Sequence, residues 1–169
     1  ISFIEMDEHS NESKLHYEFN HYSKNTTPIL LKKAMTERIA TEKNLKLNLG
    51  CGNKKLKGFI NIDQSEQCLP DLLLNLENTP YPFNTSSAGY IKMDSVLEHF
   101  PVNPEDFFRI MREIHRISKN NAAIDILCPH PFHRWQIVDF THQKPISLEG
   151  LKMLDKEYCR ELIRKGDAK

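Results

Sequence analysis

Two groups of residues in this 169-residue chain have the types and spacing to do chemistry. The first is Gly50-Cys51-Gly52 together with Asp63. Glycines directly after an apolar run let the backbone turn sharply and approach a ligand closely. A carboxylate closing the next apolar run can accept both hydroxyls of a ribose, so the pair points to a nucleoside-containing cofactor. The bland alternative is a strand-to-loop turn beside a solvated acid, and the register of turn and acid speaks against it. Lys55 stands where a dinucleotide fingerprint has its third glycine, which disfavours a pyrophosphate ligand. The second group is His130, His133, Asp139 and His142, in one loop. A neutral imidazole there can take a proton from a hydroxyl or amine nucleophile. His130, nearest the preceding apolar run, is the first candidate for that role, and His142, beside Thr141, is the second. The set could also hold a metal, but zinc pairs are usually tighter and Pro129 and Pro131 flank His130, so no metal is assigned. Phe132, Trp135 and Phe140 either wall an apolar acceptor pocket or seal the core beneath a lid. Glu98-His99 reads as a buried pair against the next helix, with His99 as a base the alternative. Arg109, Arg112, Arg116 and Lys119, with acids alongside, read as a solvated charged face rather than a nucleic-acid surface.

These residues need elements to bring them together. Residues 1–27 are polar with scattered aromatics and read as an arm; residues 28–169 read as one domain. Thr26 or Thr27 offers an N-cap with Pro28 behind it, predicting a helix over 28–42. Five short apolar runs, over 45–49, 59–62, 72–74, 90–93 and 122–128, each stop at a polar residue, glycine or proline and read as strands. A helix opens at Pro104, with Phe107, Phe108, Met111, Ile114, His115 and Ile117 or Ser118 on one side. Asn120-Asn121 reads as a turn, and Ser147 caps a last helix over 148–165. Strands among helices with no hairpin predict an α/β fold with a mostly parallel sheet. Ligands of such sheets bind beyond the carboxyl ends of the strands, where Gly50, Gly52, Asp63, Asn75, Asp94 and His130 fall.

Composition narrows the partners. The chain has 23 Lys+Arg and 23 Asp+Glu, a formal net charge of zero. That excludes a nucleic-acid or anionic-membrane binder driven by bulk charge. No apolar run approaches the ~20 residues of a membrane span. Residues 1–10 hold three acids and no Lys or Arg, unlike a secretory signal. The four cysteines form no CxxC pair, and the apolar flanks of Cys51 and Cys128 suggest buried free thiols. A reducing compartment, the cytoplasm, is the expectation.

Residues 47–63, Leu-Asn-Leu-Gly-Cys-Gly-Asn-Lys-Lys-Leu-Lys-Gly-Phe-Ile-Asn-Ile-Asp, resemble the cofactor motif of class I S-adenosylmethionine-dependent methyltransferases. They are most similar to a small bacterial-type subgroup with a compact first crossover. The resemblance continues through residues 71–77, 80–83, 94–100, 108–131 and 139–142, and spans roughly 45–155. It implies a Rossmann-like, mostly parallel sheet flanked by helices, with the first crossover helix stunted or replaced by a loop. It also implies roles. Leu49, Gly50, Cys51 and Gly52 would pass under the methionine portion, and Asp63 would bind the ribose. Asn75 and Leu76 would lie by the adenine, where family members often have Asp before the Leu. Asp94 and Ser95 would sit beside the sulfonium, whose charge favours a nearby carboxylate or carbonyl. The implied reaction is methyl transfer from S-adenosylmethionine, yielding S-adenosylhomocysteine, with a small molecule the expected acceptor. The rivals are a non-catalytic nucleoside-binding module or subunit and a short NAD-dependent oxidoreductase. Family members continue with two further strands after the last helix, and this chain stops at Lys169 without them. The fifth strand is then expected to be a sheet edge, covered by further residues, a second copy or a partner.

Overall fold

A computed structural model describes residues 2–3, 30–31 and 33–167. The apolar runs form one sheet of β1 (Ser2–Phe3), β2 (Leu30–Leu31), β3 (Leu45–Leu49), β4 (Ile60–Asp63), β5 (Leu72–Leu73), β6 (Ala88–Asp94) and β7 (Ser118–Leu127). The spatial order is β1-β7-β6-β3-β4-β5-β2. The five strands β7, β6, β3, β4 and β5 are mutually parallel, as expected, and β2 runs antiparallel to β5. The helices are α1 (Lys33–Thr41), α2 (Pro104–Ile117), α3 (Arg134–Val138), α4 (Leu148–Lys152) and α5 (Lys156–Lys165). No described helix is long and apolar enough to cross a membrane.

Parallel sheets are covered on both faces, so their strands carry apolar residues at successive positions. Leu45, Leu47, Leu49, Ile60, Ile62, Ile91 and Met93 are fully buried. Asn48 and Asn61 break the pattern. They are buried and lie side by side in the β3–β4 register. Their purpose is the crossover between those strands, which has no helix, although parallel connections normally use one. A bare loop needs partners for its backbone. Asn48 Nδ2 donates to the Lys54 carbonyl at 2.9 Å and to Asn61 Oδ1 at 3.0 Å. Asn61 Oδ1 also accepts from the Leu56 amide at 2.8 Å, and its Nδ2 donates to the Leu56 carbonyl and to Asp71 Oδ2. Two amides and one carboxylate thus take the place of a helix.

Helix α2 starts on an Asn103 cap, whose side chain accepts from the Glu105 amide, with Pro104 behind it. Its buried face is Phe107, Ile110, Glu113, Ile114 and Ile117, while Phe108 and His115 point outward, contrary to expectation. The arginines are not a purely solvated face either. Arg116 pairs with buried Glu113 at 2.6 Å and donates to the Phe83 carbonyl at 2.9 Å. Arg109 donates to the Glu77 carbonyl and to Thr79 Oγ1. Glu113 in turn accepts from the Tyr81 amide at 2.6 Å. The helix therefore pins the 77–85 loop, whose two prolines leave it no ladder of its own.

Four other expectations need correction. The helix predicted over 28–42 begins at Lys33, because Leu30–Leu31 pair with β5 and satisfy the sheet edge there. Its Thr26–Pro28 cap lies outside the described residues, as does the arm except for Ser2–Phe3. Those two residues lie along β7 in parallel register, so part of the expected open edge is met by this chain itself. Asn120-Asn121 does not end an element. β7 runs through it as a bulge, with Asn121 at φ 63° and the register moving from Ala88↔Ser118 to Tyr90↔Ala123. The single helix predicted over 148–165 is two, because Asp155 accepts from the Glu157 and Tyr158 amides and caps α5 anew.

Candidate functional site

The register brings the sequence-predicted cofactor residues together. Leu49 of β3 lies between Ile62 of β4 and Met93 of β6. One residue further along each strand stand Gly50, Asp63 and Asp94, side by side at the carboxyl ends. Between β3 and β6 the order of strands reverses, which is where open α/β sheets bind ligands.

Gly50 and Gly52 take φ values of 62° and 47°, in the left-handed region that favours glycine. At Gly50 a Cβ would also meet Val96 Cγ2 at 2.6 Å. At Gly52 a Cβ would meet nothing within 4 Å, so this side of the turn opens to space a ligand can enter. The turn is tied to the neighbouring strand: the Cys51 amide donates to the Ile62 carbonyl and the Gly52 amide to Asp63 Oδ2 at 2.8 Å. Asp63 Oδ1 accepts from the Ser65 amide at 2.9 Å. Each carboxylate oxygen keeps lone-pair capacity for a ribose hydroxyl. The buried Cys51 thiol is pushed up to about 11 by burial and then by the Asp63 charge, so it is neutral and inert near pH 7.

Asn75 Oδ1 accepts from the Glu77 amide at 2.8 Å, which turns its NH2 group away as a donor. Leu76 is buried, and its carbonyl accepts from the Tyr81 hydroxyl at 2.7 Å. Asp94 faces the Lys54 ammonium at 3.3 Å, an exposed and weak pair. Ser95 has φ 58°, strained for a residue with a Cβ, and its amide donates to the Leu127 carbonyl at the end of β7.

The histidine loop divides. His130 is exposed, and its Nδ1 accepts from the Phe132 amide. His133 caps α3. His142 instead goes inward to meet Glu98 and His99, with one ligand atom of each within 4.8 Å of the others. Neither His130 nor His133 belongs to such a group among the described residues. Glu98 does not brace the next helix. Its carbonyl accepts from the Gln143 and Lys144 amides and so holds the histidine loop. Burial pushes the Glu98 carboxyl up. Burial also lowers His142, against the pull of Asp139. Phe132, Trp135 and Phe140 do not seal the core, since they are 88%, 48% and 96% exposed.

Sequence reasoning missed Asn48, Asn61 and Asp71 as the frame of the glycine turn. Asparagines inside two apolar runs were the available signal. It also set Glu98-His99 apart from His142, which lies more than forty residues on and signals nothing by spacing.

No family model and no curated protein matches this sequence. The fold matches the crystal structure of a SAM-dependent methyltransferase from Archaeoglobus fulgidus, at TM-score 0.54 and 19% identity. The match covers 74% of this chain and 65% of that one, so this chain spans less than two thirds of that protein's length. The chain folds as a class I methyltransferase does, with helices flanking five parallel strands.

Proposed function

We propose that this chain binds S-adenosylmethionine at the carboxyl ends of β3, β4 and β6 and transfers its methyl group to a small-molecule acceptor. The observation that carries this reading is the left-handed Gly50–Gly52 turn bonded through the Gly52 amide to Asp63. The residues fit the group: Gly52 opens to space, Asp63 keeps acceptor capacity for two hydroxyls, and Asn75 presents a donor to an adenine nitrogen. When bound, the cofactor supplies an electrophilic methyl on a sulfonium and leaves as S-adenosylhomocysteine.

The work left to the chain is chiefly positioning, with nucleophile and methyl held about 3 Å apart and water excluded. Leu49, Gly50 and Cys51 form the floor of the turn, and Leu76 provides apolar cover by the adenine. Asp94, with Ser95, places negative charge near the sulfonium. His130, exposed beyond the end of β7, takes the acceptor's proton on Nδ1, which must first give up its bond from the Phe132 amide, as the acceptor's oxygen or nitrogen bonds to the methyl carbon. His142, half-buried beside Glu98, is not given that role. The balanced charge favours a small acceptor over nucleic acid. Four free cysteines suit a reducing compartment such as the cytoplasm.

Calorimetric titration with S-adenosylmethionine and S-adenosylhomocysteine tests the reading. Micromolar binding that Asp63→Ala weakens about 100-fold is expected. A folded chain that binds neither compound overturns it. Binding without turnover of any acceptor would favour a non-catalytic module.

A further inference from the structure

We propose that Glu98, His99 and His142 bind one divalent transition-metal ion of the zinc type. Their ligand atoms lie within 4.8 Å of one another. Glu98 is fully buried, and neither carboxylate oxygen has a hydrogen-bond partner. A buried carboxylate left unpaired is costly, and a cation between it and its neighbours offsets that cost. His142 Nδ1 is also buried without a partner. The two rings meet edge to face, with centroids 4.7 Å apart and planes at 73°.

The surrounding hydrogen bonds set the tautomers. The Thr141 hydroxyl donates to Asp139 Oδ1 at 2.6 Å, so toward His99 Nδ1, at 3.1 Å, it can only accept. The Thr141 carbonyl, 3.2 Å from the same nitrogen, accepts as well. His99 Nδ1 therefore carries the proton, and Nε2 keeps a lone pair. Asp139 Oδ2 lies 3.6 Å from His142 Nε2, which favours a proton there and a lone pair on Nδ1. Carboxylates and carbonyls behind imidazoles orient metal ligands in this way.

Two imidazoles and one carboxylate suit zinc and its neighbours, whereas magnesium and calcium prefer oxygen ligands. Three protein ligands leave a fourth position for water or an acceptor oxygen. Glu98 and His99 follow β6 by one short turn, so the ion would lie at the same end of the sheet as the glycine turn. The site goes beyond the methyl-transfer reading and can be tested without any cofactor.

The full chain, stripped with EDTA, is titrated with zinc chloride, with magnesium chloride as the comparison. One equivalent of zinc and a raised thermal midpoint are expected, with no response to magnesium. Glu98→Gln keeps the volume and removes the charge. It should weaken zinc binding at least about 100-fold while leaving the metal-free midpoint unchanged or higher. His142→Ala should lose binding as well. No zinc binding by the folded chain overturns the proposal. So does stoichiometric binding that survives both substitutions, which would place the ion on other histidines or cysteines. Should Glu98→Gln fail to fold, cobalt spectra decide: visible bands that persist unchanged in His142→Ala overturn the site.

Discussion

The two sides of the ligand edge are finished to different degrees. On the side of the glycine turn, Asn48, Asn61, Asp63 and Asp71 bond to the chain's own backbone and to one another. On the histidine side, Glu98 and His142 hold buried polar atoms without partners, and Phe132 and Phe140 stand in solvent. A turn that must present a cradle before its ligand arrives gains from being rigid. A surface that completes itself with an ion or an acceptor keeps atoms free for it. Stability and function should therefore separate between the two sides, and substitutions can break or sharpen that separation.

The largest effect is expected at Asn61. Asn61→Ala orphans the Leu56 amide and carbonyl and removes partners from Asn48 and Asp71. Each buried group left unsatisfied costs about 1–3 kcal/mol. A loss of about 3 kcal/mol in urea unfolding is expected, together with the loss of cofactor binding. Unchanged stability would mean that the crossover does not depend on the amide network. Asp63→Ala comes next and acts mainly on binding. It should weaken S-adenosylhomocysteine about 100-fold, equivalent to about 2.7 kcal/mol, with a smaller loss of stability from the freed Gly52 and Ser65 amides. Calorimetry on the folded variant checks this.

The contrast also decides how much was legible in the sequence. That Gly50, Gly52 and Asp63 come together was readable because the parts are local. Gly50, Gly52 and Asp63 lie on adjacent strands joined by a short loop, so spacing along the chain reports spacing in the fold. Leu-Asn-Leu and Ile-Asn-Ile disclosed strands, although not that the two asparagines meet. The histidine side was misread because its partners are distant in sequence. His142 pairs with Glu98 and His99 rather than with His130 or His133, and only tertiary packing sets that. Helix boundaries failed where a tertiary contact overrode local signals. Leu30–Leu31 joined a sheet edge, and Asp155 restarted a helix that periodicity alone would continue.

A pH experiment probes the finished side more gently. Cys51 has its thiol raised from 9.0 to about 11, by burial and then by Asp63. Tyr81 is raised too, by burial and then by Glu113. Both groups lose their protons more easily in the unfolded chain. Their stabilisation is therefore complete below the unfolded values and is lost as pH rises through the folded ones. The thermal midpoint should fall as pH climbs from 9 toward 11, and Cys51→Ala should flatten part of that fall. Cys51 should also resist iodoacetamide at pH 8 until the protein unfolds. Rapid alkylation of the folded chain would show the turn to be looser than its hydrogen bonds imply.

The smallest effect on stability belongs to the unfinished side. Phe140 is 96% exposed and Phe132 88% exposed, so neither contributes buried area that folding would lose. Phe140→Ser and Phe132→Ser should each change unfolding free energy by no more than about 0.5 kcal/mol. If these rings wall the acceptor, the same variants should raise the acceptor's KM while cofactor affinity stays constant. A large destabilisation would instead mean that the rings pack in the folded protein, and would assign the loop to the finished side. The informative outcome is thus a dissociation. A side chain that folding does not need but acceptor binding does is the expected mark of a surface still waiting for its ligand.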